Sequence, residues 1–136
     1  MRTIPSRWRP LMPHFVVDCS SSVLELADPV VLMQSVYDAA ESTRLFAEHG
    51  VGGIKVPLNP YDRYINVDGH QHFVHVFAHI MQGRSPQQKR VLAEKVVEAV
   101  AVLLPGVEII SVNVSDFERA TYANATMLRP DEAKGG

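Results

Sequence analysis

Residues 73–114, FVHVFAHIMQGRSPQQKRVLAEKVVEAVAVLLPGVEIISVNV, read as one strand–helix–strand unit. From Phe73 to Met81 the chain alternates. Val74, Val76, Ala78 and Ile80 fall on one side of an extended backbone, and His75, Phe77 and His79 on the other. That period describes a strand with one face turned to a core. Gly83 breaks the run. Ser85-Pro86-Gln87-Gln88 then supplies an N-cap hydroxyl, a proline at the first helical position and a glutamine at N3, close to a capping box. Leu92, Val96, Val100 and Leu103 follow at helical spacing, and Pro105-Gly106 stops the helix. Val107 to Val114 is a second, strongly apolar strand.

The upstream half has the same plan. Phe15 to Cys19 reads as a short strand. Asp28-Pro29 starts a helix, with aspartate as N-cap and proline at N1. Leu32, Val36, Ala39, Ala40 and Phe46 recur at roughly helical spacing, and His49-Gly50 suits a C-terminal stop. Val51 to Val56 is then a second short strand bounded by Pro57, and residues 57–71 read as loop, with Pro57, Asn59-Pro60 and Asp68-Gly69. No sequence repeat links the halves, yet strand–helix–strand occurs twice. Two crossover units predict an α/β (α+β two-layer) domain: a double βαβ with a four-stranded mixed sheet and both helices on one face. The other sheet face is left bare, and association through it is the expected remedy.

Composition agrees with an ordinary globular domain. The chain has 136 residues, 46% hydrophobic and 21% charged, with a net charge of −2. One domain of that size can build a real core. The charge balance gives no reason to expect nucleic acid or an anionic membrane surface as partner. No apolar stretch approaches the ~18 residues of a membrane span. Residues 1–11 are basic at their start and lack the apolar core of a secretory signal, so they read as an N-terminal extension. Residues 12–129 form the domain, and 130–136 are a polar tail expected to fray. The single Cys19 excludes an internal disulfide and fits a reducing, cytoplasmic setting. It reads as a small apolar strand residue rather than a nucleophile.

The string Met12-Pro13-His14-Phe15 carries the strongest functional signal. If the chain began at Pro13, its terminus would be a secondary amine, which can act as a base near neutral pH. While residues precede it, the same nitrogen is a non-basic amide. Further short pieces follow in order: Cys19-Ser20, Ala27-Asp28, Gly53-Ile54-Lys55, Asp68-Gly69, Phe73-Val74-His75 and Gly83-Arg84-Ser85. Together, from Met12 to roughly Met127, they resemble the 5-carboxymethyl-2-hydroxymuconate isomerases of the tautomerase superfamily. The resemblance implies paired βαβ units in a homotrimer with active sites near subunit boundaries. It also implies a cofactor-independent isomerase in aromatic-acid breakdown, acting on a small unsaturated carboxylic acid. Pro13 would be the catalytic base; Lys55 and Arg84 would bind substrate carboxylates. Lys55 stands where the family usually has arginine, a point charge in place of a fork, which bears on the choice of diacid. Two other outcomes belong to the same scaffold: a promiscuous keto–enol tautomerase, and a non-catalytic trimer whose Pro13 is blocked by residues 1–11.

The remaining constellations are weaker. His75 and His79 have the i, i+4 spacing of a helical metal pair, but the segment alternates like a strand. That would hold them about 13 Å apart, so no metal site is expected among His70, His72, His75 and His79. A sheet face at a subunit contact suits them better. Asp28 is explained as a cap, and neither Asp18 nor Glu25 gains a partner carboxylate at a useful spacing. Gly50, Gly52 and Gly53 do not form a phosphate-binding motif. Thr121 to Asn124 is assigned no role.

Overall fold

A computed structural model describes residues 13–46 and 53–128. The expected extension, the tail at 130–136, the His49-Gly50 stop and the start of the strand at Val51 lie outside the described residues. Four strands form one sheet: β1 (His14–Ser20), β2 (Leu58–Tyr61), β3 (Val74–Met81) and β4 (Ile110–Phe117). Their order is β2-β1-β3-β4. β1 runs parallel to β2 and antiparallel to β3, and β3 runs parallel to β4. The two long helices are α1 (Pro29–Ser42) and α2 (Pro86–Leu103); a short α3 (Ala125–Leu128) follows β4. This is the mixed four-stranded sheet expected of two βαβ units.

One sheet face makes the core. Phe15, Val17 and Cys19 of β1 and Val74, Val76, Ala78 and Ile80 of β3 are fully buried. Leu32, Val36 and Ala40 of α1 and Leu92, Val96 and Val100 of α2 join them in one cluster. Both helices therefore cover the same face. Their starts form as the local sequence dictates. The Asp28 carboxylate accepts the Val30 N–H at 2.8 Å. Ser85 Oγ accepts the Gln88 N–H at 3.1 Å, while Gln88 Oε1 accepts the Ser85 N–H at 2.9 Å, a complete capping box. Cys19 lies in the middle of the core, between Pro60 of β2 and Val74 of β3. Burial, helped by the charge of Asp18, raises its thiol pKa to about 11.

Three boundaries differ from the sequence reading. First, α1 ends at Ser42, short of Phe46. The Ser42 and Thr43 hydroxyls each donate at 2.7 Å to the carbonyls of Ala39 and Ala40, and Arg44 turns left-handed with φ of 62°. Phe46 is still buried, edge-on to Phe15 with centroids 6.0 Å apart. Helical spacing continued by chance beyond the real end.

Second, the partner of β1 is Leu58–Tyr61, inside the expected loop, and of the expected 51–56 strand Lys55 makes an isolated parallel bridge to His14. Pro57 explains the break. It accepts the Val17 N–H through its carbonyl at 2.9 Å but has no N–H to return. The inward-facing residues of this strand alternate, so Pro60 falls where no donor toward β1 is needed. Prolines are tolerated on such an edge.

Third, the last strand is Ile110–Phe117 rather than Val107–Val114. Val107 is buried in the core below the turn after α2, with its N–H bonded to the Leu104 carbonyl at 3.0 Å. Hydrophobicity marked the burial, whereas the ladder continues through polar Ser115 and Asp116 because β4 is an edge.

The opposite sheet face carries His14, Val16 and Asp18, then His75, Phe77 and His79, then Ser111, Asn113 and Ser115, none of them fully buried. Tyr61 and Asn59 of β2 donate to the two Asp18 oxygens, each at 3.2 Å. Among the described residues, no helix is long and apolar enough to cross a membrane.

Candidate active site

Pro13 precedes β1 and is buried. Its carbonyl accepts the Lys55 N–H at 3.1 Å, and the Lys55 carbonyl accepts the Phe15 N–H at 2.8 Å. Lys55 is thus backbone-bonded to both sides of His14, next to Pro13, with its own residue exposed. On the other side, β1 and β3 pair with His14 opposite His79, so the Pro13 end of β1 meets the Met81 end of β3. Arg84 leaves the sheet at that end.

Arg84 is held firmly. Its Nη2 donates to the Leu45 carbonyl at 2.7 Å and its Nη1 to the Met81 carbonyl at 3.2 Å. The guanidinium carbon lies 5.2 Å from the Phe46 ring centroid, a cation–π geometry. Burial lowers its pKa from the ordinary arginine value, and the nearby Arg119 charge adds to that, with Asp116 acting the other way. His14 is also shifted down, by burial first, then by His79 and Lys55. Burial is the main cause of both shifts, and neighbouring positive charge adds to it.

Lys55 and Arg84, chosen from sequence with Pro13, do come to the Pro13 end. The histidines do not gather. His75 is held between Ser111 Oγ at 2.6 Å and Asn113 Oδ1 at 2.7 Å. The amide oxygen can only accept, so Nε2 carries the proton and Nδ1 accepts from the serine. His72 bonds Ser22 Oγ at 2.8 Å at the far end of β1. Among the described residues, no three of His, Cys, Asp and Glu converge as a metal would require.

Sequence reasoning missed an aromatic run along the open face. His75 and Phe77 lie 4.2 Å apart, Phe77 and His79 6.4 Å, His79 and Phe117 6.0 Å, and Phe117 and Tyr122 5.7 Å. At Phe117 the run reaches the Met81–Phe117 pair, where the Met81 carbonyl accepts from Arg84. Tyr122 belongs to the stretch that had no assigned role. Alternation placed His75, Phe77 and His79 on one face, but only the β3–β4 register brings in Phe117.

The family model for 5-carboxymethyl-2-hydroxymuconate isomerase matches residues 13–122. The chain belongs to that family. The match begins at Pro13 and takes in Lys55, Arg84 and the Tyr122 end of the aromatic run. A crystal structure of a 5-carboxymethyl-2-hydroxymuconate isomerase from Deinococcus radiodurans R1 superposes with a TM-score of 0.70 at 19% identity, covering 90% of this chain and 98% of that one. A 5-carboxymethyl-2-hydroxymuconate delta-isomerase gives 0.66 at 21% identity, over 87% and 89% of the two chains. A fused 4-OT protein, F6, described as an asymmetric trimer, gives 0.66 at 16% identity, over 90% and 99%. At these identities the superpositions establish the shared tautomerase fold. No curated protein matches the chain significantly in sequence.

Proposed function

We propose that the Pro13 end of the sheet isomerises an unsaturated 2-hydroxy or 2-oxo dicarboxylic acid by a one-base proton shift. The observation that supports this most is the bond between the Lys55 N–H and the Pro13 carbonyl. It sets a cation beside Pro13 while Arg84 approaches from β3. As a first residue, Pro13 would carry a secondary amine. The amine takes a proton from the 2-hydroxyl or from carbon, and the charge spreads into a dienolate. Lys55 and Arg84 hold the carboxylates and the developing oxyanion. The amine then returns the proton at a different carbon. Nothing is consumed, so the reaction as written calls on no cofactor. Such chemistry would serve the breakdown of aromatic acids. The bare sheet face and the trimeric fused 4-OT relative support a homotrimer.

A second reading has its own observation. In this chain Pro13 follows Met12, and an acylated proline nitrogen has no usable lone pair. A protein retaining residues 1–12 would then be a non-catalytic trimer with an intact pocket. Another possibility on the same residues is keto–enol tautomerisation of a simpler acid. The test compares the full chain, verified by intact mass, with a chain whose first residue is Pro13. The trimmed chain should gain about 10²–10⁴-fold in enol-acid tautomerase activity, the usual contribution of a positioned base. One alanine added before Pro13 should remove the gain. Equal rates from the full and trimmed proteins would rule out Pro13 as base.

A further inference from the structure

A groove runs between α1 and α2 on the helix layer. Ser35 Oγ donates across it to the Ala99 carbonyl at 3.4 Å. Val31 of α1 and Val102 of α2 line it and stay 49% and 76% exposed. Asp38 and Glu98 supply two carboxylates, and Lys95 offsets one of them. Among the described residues, neither carboxylate is in an ion pair; Asp38 accepts only from the Gln34 amide, at 2.8 Å. This layer lies opposite the sheet face expected to meet other copies, so the groove stays on the outside of such an assembly.

The sequence supplies an occupant. Residues 1–12 precede Pro13 and read MRTIPSRWRPLM. Arg2, Arg7 and Arg9 have no acidic residue among them, and Ile4, Trp8 and Leu11 are apolar. A basic, apolar segment and an apolar groove edged by carboxylates are complementary. The lengths agree as well. From Val31 to Ser42, α1 rises about 16 Å. Ser42 lies just before Leu45, whose carbonyl Arg84 holds at the Pro13 end. Twelve residues in the polyproline form, which Pro5 and Pro10 favour, reach about 37 Å. That is enough to leave Pro13, round the Ser42 end and run the length of the groove. We propose that the N-terminal segment folds back into this groove, its apolar side chains on Val31 and Val102 and its arginines on Asp38 and Glu98. The tether keeps the segment at high effective concentration, so a shallow groove suffices. Docked there, it leaves the Pro13 end of the sheet uncovered.

Trp8 is the chain's one tryptophan, so its fluorescence reports the segment alone. In the full chain, verified by intact mass, its emission should lie to the blue of the urea-unfolded protein. Quenching by acrylamide should be several-fold slower than in urea. Val31→Asp and Val102→Asp should each move the emission to the red and restore fast quenching. Both side chains are exposed enough that the far-ultraviolet circular dichroism should not change. Glu98→Lys should act in the same direction, and added salt should weaken the docking of the unmodified chain. Trp8 emission in the native chain equal to that in urea would overturn the proposal. So would a shielded Trp8 indifferent to all three groove variants; if Tyr122→Ala exposed it instead, the segment would belong on the aromatic end of the sheet.

Discussion

Arg84 does two things with one side chain. It closes the loop at Leu45 onto the end of β3 and it presents charge to the Pro13 end. Arg84→Ala should therefore lower both stability and dicarboxylate turnover. Leaving the two carbonyls without this donor should cost about 1–3 kcal/mol, measured by denaturant unfolding. A kinetic loss without any stability loss would mean that the carbonyl contacts are incidental. Lys55→Arg should be tolerated, since its backbone makes the Pro13 contact and the side chain keeps its charge. His14 gives a pH prediction. Its pKa is lowered by burial, then by His79 and Lys55, so the folded protein binds fewer protons than the unfolded chain. Stability should rise with pH through the interval up to the ordinary value near ~6.5. Equivalently, it should fall as the pH drops below that value, and level off once folded His14 takes its proton. His14→Gln should flatten that slope in urea titrations between pH 5 and pH 8. At this scale, short motifs made Pro13, Lys55 and Arg84 legible as candidates. Their neighbours were not. Pro13 and Lys55 touch across a separation that no local pattern encodes, and so do Gln82 and Arg119, joined by a side chain that accepts a backbone N–H 37 residues on.

At the scale of elements, local chemistry was the better guide to starts than to ends. Asp28 and Ser85 cap their helices as their side chains dictate, because a capping hydrogen bond is satisfied within four residues. Ser85→Ala should destabilise the protein by about 1 kcal/mol, read as a lower urea midpoint with an unchanged m value. No change would mean that packing of Leu92, Val96 and Val100 alone sets the helix start. Element ends depend on tertiary competition. Phe46 kept a helical period past Ser42, where hydroxyl-to-carbonyl bonds and a left-handed Arg44 had already closed α1. Pro57 and Pro60 argued for loop, yet on an edge strand only one of them interrupts a needed donor. Edge position is a property of the sheet order, which the local pattern does not contain.

For the molecule as a whole, the double βαβ plan followed from two alternating strands and two capped helices, and the sheet order β2-β1-β3-β4 agrees with it. The face away from the helices holds Val16, Phe77 and the imidazoles, and the loop before β3 exposes Ile65 and Val67. Such a surface on a two-layer domain is expected to be covered by further copies. Light scattering at micromolar concentration should give the mass of a homotrimer; a stable monomer would show that the face tolerates water. The buried thiol near the end of β1 has a practical consequence. Cys19 is the chain's one cysteine, fully buried and with a pKa raised to about 11. A thiol reagent can reach it only when the strands on either side part. The rate of alkylation in native buffer therefore serves as a built-in clock for cooperative opening of the sheet, without any engineered label.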